Sequence, residues 1–367
     1  MIYLDHASTT ALCEPAKQAM IEHLDDYGNP SSSYEFARKS RQLIEDARER
    51  IAKCINAEPY EIYFTSGGSE ANSWALSGYG DIFTTNIEHH SVQGVHMFKA
   101  NKDGIITADE VRNTFENNTD DFWFTPDVMS CMMVNNELGT IMPIAEIAEI
   151  ARRHCTYFHV DAVQAVGYIP VDVKALNVDM LSASGHKWGA PKGVGFLYIK
   201  EGAYNPPVLI HGGRQERHYR GGTENILGII AMAAALEDAV KNMEARSAHV
   251  ELMRDVMLHK LMQIKGVHIN GSMKYRVPSN INIRFDGVSG ARLVTLASIY
   301  DICISSGSAC NEGVATPSHV LKAIGLSDKD ALSSVRITLG HDNTIEEVRE
   351  AAEIITQLVA RIREENS

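Results

Sequence analysis

Apolar residues in the first half of the chain follow two different periods. Leu43, Ala47, Ile51 and Ile55 recur at every fourth position, which predicts an amphipathic helix over residues 34–55. Short apolar runs predict buried strands at 62–65, 129–134, 157–160, 180–182 and 194–199, with helices between several of them, such as 144–154. Helices that alternate with buried strands are typical of an α/β domain with a mainly parallel sheet.

The pattern changes in the second half of the chain. A long helical stretch over residues 225–263, with a bend near Arg246, is followed by shorter and more mixed elements. These elements are strands at 280–285, near 302 and at 335–339, a Gly/Ser loop, and an amphipathic helix at 345–363. We therefore predict a large domain over residues 16–245 and a smaller α+β domain built from residues 1–15 and 246–367.

Composition excludes several classes of protein. The 367 residues are 44% hydrophobic and 22% charged, which is typical of a globular protein with a large core. A formal net charge of -13 argues against a surface that binds nucleic acid directly. We expect a cytoplasmic protein with no membrane partner, because the sequence has no long apolar segment and no targeting pattern at its start. The six cysteines have neither disulfide-framework nor zinc spacing, so no metal is predicted.

A glycine-rich turn follows the strand predicted at 62–65. Its sequence, Ser66 to Asn72, has Gly68 and Ser69 at the start of a predicted helix. Glycines allow close approach of a ligand, and the first amides of a helix attract an anion such as phosphate. A plain strand-to-helix turn with Ser69 as the N-cap explains the same residues.

Two charged residues follow later strands of the predicted sheet. Asp161 ends the strand at 157–160, where α/β folds place their ligands. Lys187 follows the strand at 180–182 and precedes a Gly/Pro-rich turn, a position that suits an amine able to form a Schiff base. Ser184 and His186 could add donors to a phosphate. The alternatives are a helix N-cap for Asp161 and a solvated loop lysine for Lys187.

Cys310 lies in a Gly/Ser loop, where exposure and mobility favour a reactive thiol over a structural one. Thr316 and Pro317 are expected to begin the next helix as its N-cap and first residue. Arg336 is flanked by apolar strand residues and needs an anion. A substrate carboxylate and a structural ion pair are equally good candidates for it.

In this order the motifs resemble those of the class I cysteine desulfurases, the NifS/IscS group of fold-type I pyridoxal-5′-phosphate (PLP) enzymes within the class-V aminotransferase family. The resemblance covers essentially the whole chain. The motifs that carry it are Tyr3–Thr10, Gly28–Ser32, Glu88–His89, Asn135–Glu137, His159–Asp161, Ser184–Lys187 and Ser305–Cys310. It implies a large domain with a mainly parallel seven-stranded sheet and a smaller α+β domain that carries Cys310.

The resemblance also implies a role for each site residue. Lys187 would form the Schiff base with PLP, and Asp161 would pair with the pyridine nitrogen of the cofactor. The remaining cofactor contacts would come from His89, stacked on the ring as a further catalytic residue, from Gln164 at the phenolic oxygen, and from Asn136, Gly68, Ser69, Ser184 and His186. Asn136 and Arg336 would hold the substrate carboxylate. Thr223 would reach the phosphate of the other subunit in a homodimer.

The implied reaction removes sulfur from L-cysteine, releases L-alanine and leaves a persulfide on Cys310 for a sulfur-acceptor protein. Iron–sulfur cluster assembly and tRNA thiolation are among the pathways that such an enzyme supplies. The alternatives on the same fold are a selenocysteine lyase and an aminotransferase, although an aminotransferase would not need Cys310. An inactive relative that serves as a partner-binding scaffold would not need Lys187, Asp161 or His89.

Several positions depart from the family pattern. Tyr34 stands where a His is usual, Ser69 replaces a common Thr but keeps the hydroxyl, and His341 stands where Arg is frequent. The sequence ends at Ser367, soon after its last predicted helix, so we do not expect the longer C-terminal tail that helps several members to dock an iron–sulfur scaffold. These departures leave Lys187 and Cys310 untouched.

Overall fold

The fold is taken from a computed structural model, which describes residues 1–94, 96–117, 126–203, 206–306, 309–311 and 314–366. Of residues 117, 309–311, 314 and 315 only the backbone is described. The strands are β1 Ile2–Tyr3, β2 Ile62–Thr65, β3 Ile82–Thr85, β4 His96–Phe98, β5 Val128–Ser130, β6 Tyr157–Asp161, β7 Met180–Ser184, β8 Gly195–Ile199, β9 Val267–Ile269, β10 Asn280–Phe285, β11 Ile302–Cys303, β12 Ser305–Ser306, β13 Ala309–Asn311, β14 Val314–Thr316 and β15 Ser334–Thr338.

Helices fill most of the connections between these strands. They are α1 Glu14–Glu22, α2 Glu35–Cys54, α3 Gly68–Ala75, α4 Ala108–Asn117, α5 Ile144–Arg153, α6 Val173–Leu176, α7 Ile226–Lys241, α8 Met243–Leu261, α9 Gly290–Ile299, α10 His319–Ala323, α11 Asp328–Leu332 and α12 Ile345–Glu365. In the described part of the chain, no helix is both long and apolar enough to cross a membrane.

A seven-stranded sheet in the order β2-β8-β7-β6-β5-β3-β4 forms the centre of the larger layer. Strands β7, β6, β5, β3 and β4 pair in parallel, whereas β8 is antiparallel to both β7 and β2. The fold class predicted from the sequence, an α/β fold with a mainly parallel large sheet, is confirmed. The parallel strands all end on one edge, and the candidate site lies there.

Helix α2 covers one side of this sheet because its apolar side chains share a single face. Ile44, Ala47 and Ile51 are at most 3% exposed, and they belong to the large apolar core that also contains Phe64 and Phe196. Burying a side chain of the size of Ile contributes roughly 1.5–3 kcal/mol. The helix boundaries agree with the predicted range to within one residue at each end.

A second sheet, in the antiparallel order β12-β15-β10-β9, has its own apolar core. The N-terminal strand β1 pairs in parallel with β11, and Leu4 is completely buried in this core. Helix α12 begins with a capping box in which Thr344 and Glu347 each bind the backbone amide of the other. The domain boundaries expected at residues 15/16 and 245/246 stay a prediction.

The structure corrects the prediction at two helix ends. The helical stretch after residue 225 is interrupted at Asn242 and not near Arg246, because the Asn242 side chain donates to the backbone carbonyl and the carboxylate of Asp238 and ends α7. Thr316 lies in β14, and Ser318 is the N-cap of α10, where its hydroxyl accepts from the next backbone amides. The hydroxyl of Ser318 caps these amides directly. Thr316 is separated from them by Pro317 and is paired in β14 instead.

Strand predictions erred mainly at the ends. The run predicted as a strand at 129–134 forms a strand only as far as Ser130. The residues that follow lead to the candidate site. Strands β3 and β4 were not predicted from the sequence. Each contains only two consecutive apolar residues, too few to indicate a buried strand. Residues 309–311 form β13, which pairs in antiparallel orientation with β14.

Candidate active site

Residues from five strand ends surround one cavity of about 340 Å³ at the carboxyl edge of the large sheet. The cavity extends to the N-terminal segment and to the second sheet, which contribute Ser8 and Arg336. Ten of the predicted site residues line it: Gly68, Ser69, His89, Asn136, Asp161, Gln164, Ser184, His186, Lys187 and Arg336. The fold therefore brings together motifs that are far apart in the sequence.

The glycine-rich turn forms one end of the cavity. Gly67 has a φ of +151°, a conformation that strongly favours glycine, and it is the N-cap of α3 without any side-chain cap. A Cβ at Gly68 would lie 2.6 Å from Val163 Cγ2, so only glycine fits there. Ser69 is a residue of the first helical turn and not the N-cap, and its side chain is exposed to the cavity. This end of the cavity offers free amides and a hydroxyl to an anion.

Asp161 lies at the last position of β6 and is only 4% exposed. One carboxylate oxygen accepts from the Val163 amide at 2.9 Å, and the other accepts from the Asn72 side chain at 2.7 Å. Burial raises the pKa of Asp161, while these hydrogen bonds and the nearby positive charges act in the opposite direction. A buried carboxylate of this kind suits a positively charged ligand atom in the cavity.

Lys187 ends the short helical turn that follows β7, and its side chain is half-buried. Its amine donates to the backbone carbonyls of Ala7 at 2.6 Å and Ser8 at 2.8 Å. Burial, assisted by the positive charge of Arg336, lowers the pKa of Lys187 to about 8. A lysine in this state has a substantial neutral fraction near neutral pH, which is the form that attacks a carbonyl.

His89 faces the open cavity from the loop after β3. Its Nδ1 lies 2.7 Å from the Ser91 hydroxyl and receives the backbone N–H of Ser91 at 3.1 Å. The surrounding protein lowers the pKa of His89 mainly by desolvation. His89 is therefore a neutral ring at neutral pH.

Arg336 reaches the cavity from β15 and is 8% exposed. It donates to Asp5 Oδ1 at 2.8 Å, to the Ser8 hydroxyl at 2.7 Å and to the Asn136 carbonyl at 2.8 Å. The structural ion pair considered from the sequence is thus present, with Asp5 as the partner. Arg336 Nε is buried without a hydrogen-bond partner among the described residues, so a donor remains for a further anion.

The other cavity residues have simpler surroundings. Gln164 donates from its side chain to the Ala7 carbonyl at 2.9 Å. His186 Nδ1 lies 3.1 Å from the Thr9 hydroxyl, and burial lowers the pKa of His186 to about 4. Ser184 is 3% exposed at the end of β7. These groups remain uncharged at neutral pH and act only through hydrogen bonds.

The two remaining predicted site residues are Thr223 and Cys310. Thr223 is exposed and does not line the cavity of its own chain. The backbone of Cys310 belongs to β13, but the position of its side chain lies outside the described residues.

The sequence profile of the aminotransferase class-V family matches residues 2–350. The chain belongs to the class-V aminotransferase family. Cysteine desulfurase IscS of Methanosarcina thermophila is 40% identical, over 99% of this chain and 93% of its own length. The family relationship expected from the motifs is confirmed.

Solved structures agree with this family assignment. A NifS-like protein superposes with a TM-score of 0.88 at 32% identity and covers 98% of this chain and 99% of its own. SspA in complex with cysteine has a TM-score of 0.79 at 31% identity, with 94% of this chain and 100% of its own covered. Class-V aminotransferases of this kind depend on PLP, so the predicted cofactor is confirmed.

The cavity of this class-V aminotransferase also fits the cofactor on physical grounds. The buried atoms Asn136 Oδ1 and Arg336 Nε make no hydrogen bond within the described part of the chain. Unpaired buried polar atoms in a cavity wall indicate a ligand that completes them. The glycine-rich end provides amides for a phosphate, and Asp161 provides a carboxylate for a protonated ring nitrogen.

Sequence analysis did not single out several residues of the site. Asn72 lies one helical turn after Gly68, so the helical period alone would have placed it on the same face of α3. Asp5, Ser8 and Ser91 carried no such signal, because their positions depend on pairing between distant segments. Their motifs were recognised, but their contacts follow only from the folded structure.

Proposed function

We propose that this chain is a PLP-dependent cysteine desulfurase that converts L-cysteine to L-alanine and retains the sulfur as a persulfide on Cys310. The observation that carries the proposal is the meeting of Lys187, Asp161 and the start of α3 around one cavity. Relatives and structural neighbours named as cysteine desulfurase, NifS-like protein and SspA in complex with cysteine support it.

The residues that would hold the cofactor divide by chemistry. Gly68, Ser69, Ser184 and His186 would donate to its phosphate, and Thr223 of a second subunit would complete that contact in a homodimer. Asp161 would bind the pyridine nitrogen, His89 would stack on the ring, and Gln164 and Asn136 would contact its remaining edge. When bound, PLP supplies an electron sink that weakens bonds at the substrate Cα and Cβ.

Lys187 would carry the proton in this reaction. Its neutral amine would hold the cofactor and, once free, its Nζ would take the Cα proton of the substrate and later give this proton up. An amine with a pKa of about 8 can both accept and give up a proton near neutral pH. The two carbonyls that now hold its Nζ would keep the amine inside the cavity while it is free.

The substrate carboxylate would bind between Asn136 and Arg336. Asp5 already neutralises part of the Arg336 charge, so the free Nε is the donor that we assign to the substrate. This arrangement makes carboxylate binding weaker than an unpaired arginine would allow. It also keeps the arginine in place before substrate arrives.

Sulfur transfer would follow from attack of the Cys310 thiolate on the sulfur of the substrate. The S–S bond would form as the Cβ–S bond breaks, and the electron pair of the Cβ–S bond would remain on Cβ, which takes up a proton. L-Cysteine and the Cys310 thiol are thereby converted to L-alanine and the Cys310 persulfide, with no external oxidant. The hairpin of β13 and β14 would then present the persulfide to an acceptor protein in the cytoplasm. Iron–sulfur assembly, which the IscS name of the relatives implies, and tRNA thiolation are the destinations that we propose for this sulfur.

Mass spectrometry of the PLP-loaded protein after brief incubation with L-cysteine tests the proposal. We expect one added sulfur on the peptide that contains Cys310, and an equal amount of L-alanine. Cys310→Ser should bind PLP but gain no sulfur, whereas the control Cys155→Ser, at an exposed cysteine, should behave as the wild type.

Two outcomes would contradict the proposal. PLP binding with neither sulfur gain nor alanine would favour an aminotransferase, which amino-acid exchange with a keto acid would reveal. Alanine formed from selenocysteine alone would favour a selenocysteine lyase.

A further inference from the structure

A short chain of hydrogen bonds joins Asp161 to His89 through two side chains that have no role in the proposed reaction. The Asn72 amide nitrogen donates to Asp161 Oδ2 at 2.7 Å and to the Ser91 hydroxyl at 2.9 Å. That hydroxyl lies 2.7 Å from His89 Nδ1. Asn72 is 1% exposed, and Asn72 and Ser91 both belong to the cavity wall.

The direction of each hydrogen bond can be assigned. The amide nitrogen of Asn72 must face Asp161, since the amide oxygen would repel the carboxylate at this distance. The backbone N–H of Ser91 donates to His89 Nδ1 at 3.1 Å and cannot accept, so Nδ1 carries a lone pair. The Ser91 hydroxyl accepts from Asn72 and directs its own hydrogen to the same lone pair. The single ring hydrogen of a neutral His89 is therefore on Nε2.

We propose that Asn72 and Ser91 are positioning residues that hold His89 as a neutral imidazole with its hydrogen on Nε2. His89 then acts as a hydrogen-bond donor into the cavity and not as a general base. Its Nδ1 lone pair is engaged and its Nε2 is protonated, so the ring has no free site for another proton. The inference rests on the proposed function, and it leaves Lys187 as the group that takes the substrate proton.

The charges that face His89 from the neighbouring elements favour the same state. Asp161 on β6 favours a charged ring, whereas His90, Lys187 and His319 oppose it when they are protonated. Desolvation is the largest effect and also opposes a charged ring. The neutral state is thus supported by the surroundings of the ring as well as by its hydrogen bonds.

The buried oxygen of Asn72 is a further sign that this side chain serves the site. Asn72 Oδ1 makes no hydrogen bond with any described residue. Burying an amide oxygen without a partner costs about 1–3 kcal/mol. A residue that served only for packing would avoid this cost. We therefore attribute the presence of Asn72 to the two hydrogen bonds that its amide nitrogen donates.

The test is ¹⁵N NMR of the histidine side chains in the protein before PLP is added, with the His89 signals identified by their loss in His89→Gln. In the wild type we expect an unprotonated Nδ1 and a protonated Nε2 at neutral pH. Ser91→Ala keeps the backbone donor and therefore the tautomer, but without the hydroxyl it should form the charged ring at a higher pH and so lose the wild-type titration. Ser91→Thr should retain it, as should the control Ser77→Ala, which removes a hydroxyl bonded to the Trp74 carbonyl. A wild-type ring protonated at Nδ1, or an unchanged titration in Ser91→Ala, would overturn the proposal.

Activity of the PLP-loaded protein gives the second readout. Ser91→Ala should form alanine about two- to tenfold more slowly, the range of one neutral hydrogen bond. His89→Gln keeps a donor but no base, so it should retain clearly more activity than His89→Ala. Equal loss in both variants would show a general base and refute the proposal. If the wild type itself forms no alanine, the proposed function fails, while the NMR result still decides the state of His89.

Discussion

The lowered pKa of Lys187 predicts an amine that reacts at neutral pH. Burial and Arg336 lower this pKa from 10.5 to about 8. At pH 7 about 10% of such an amine is neutral, against about 0.03% for a lysine at 10.5. The neutral fraction is therefore roughly 300 times larger, which makes the effect measurable even though access to the cavity is restricted.

A competitive labelling assay measures this fraction directly. The protein without PLP is given a brief pulse of acetic anhydride at trace conversion between pH 6 and pH 10, and the peptides are quantified by mass spectrometry. Lys192, exposed in the turn after Lys187, serves as the internal standard. Labelling of Lys187 should reach half of its maximum near pH 8. Labelling of Lys187 that rises only above pH 10 would refute the argument.

Two neighbouring charges provide matched variants with opposite signs. Arg336→Gln removes a cation that lowers the pKa of Lys187, so labelling at pH 7 should fall. Asp5→Asn removes an anion that raises this pKa, so labelling at pH 7 should rise. Both changes break the same ion pair, so a general loosening of the site would move the two profiles in the same direction. Shifts of the same sign would therefore contradict an electrostatic origin.

Three further predictions concern stability and cofactor binding. Arg48→Met should destabilise the fold by about 3–5 kcal/mol in urea denaturation, because it leaves Glu216 buried without its bidentate partner at 2.8 and 2.9 Å; a loss below 1 kcal/mol would contradict this. Gly68→Ala should weaken PLP binding at least tenfold in a fluorescence titration, since the added Cβ meets Val163, and unchanged affinity would disprove the close approach. Burial, with the charge of Asp161, raises the pKa of Glu88 from 4.5 to about 8, so Glu88 stabilises the fold only while protonated, and this stability is lost as the pH rises through 8. Glu88→Gln should remove this pH dependence of stability, which amounts to up to about 1.4 kcal/mol for each pH unit between 4.5 and 8. Urea midpoints that change with pH in the same way in both proteins would contradict the prediction.

The fold was predictable where a period extends over several turns. Helix α2 repeats its apolar residues through five turns, and the sequence defines it to within one residue at each end. Strands β3 and β4 contain only two consecutive apolar residues each, and they are recognised only once their neighbours are in place. The antiparallel direction of β8 could not be predicted either, because a buried apolar run does not indicate which way the strand runs.

The site was predictable to the extent that strand ends define it. Asp161 and Lys187 both follow buried strands, so the geometry of a parallel sheet predicts that they share one edge. Their electrostatic state was not predictable, because it depends on residues that the pattern of the sheet does not indicate. The Asn72 bond to Asp161 spans 89 positions, and the Asp5 bond to Arg336 spans 331. No local pattern carries information over such separations.

These long-range contacts imply that strand pairing outside the cavity determines the electrostatic state of the residues inside it. Strand β1 pairs with β11, which fixes the N-terminal segment beside the second sheet. That segment then supplies the carbonyls of Ala7 and Ser8 to Lys187, and the carboxylate of Asp5 to Arg336. Arg336 in turn donates to a carbonyl of the loop that follows β5. The pKa of Lys187 therefore depends on how the two sheets dock, and the labelling profile of this one amine should report any change in their docking.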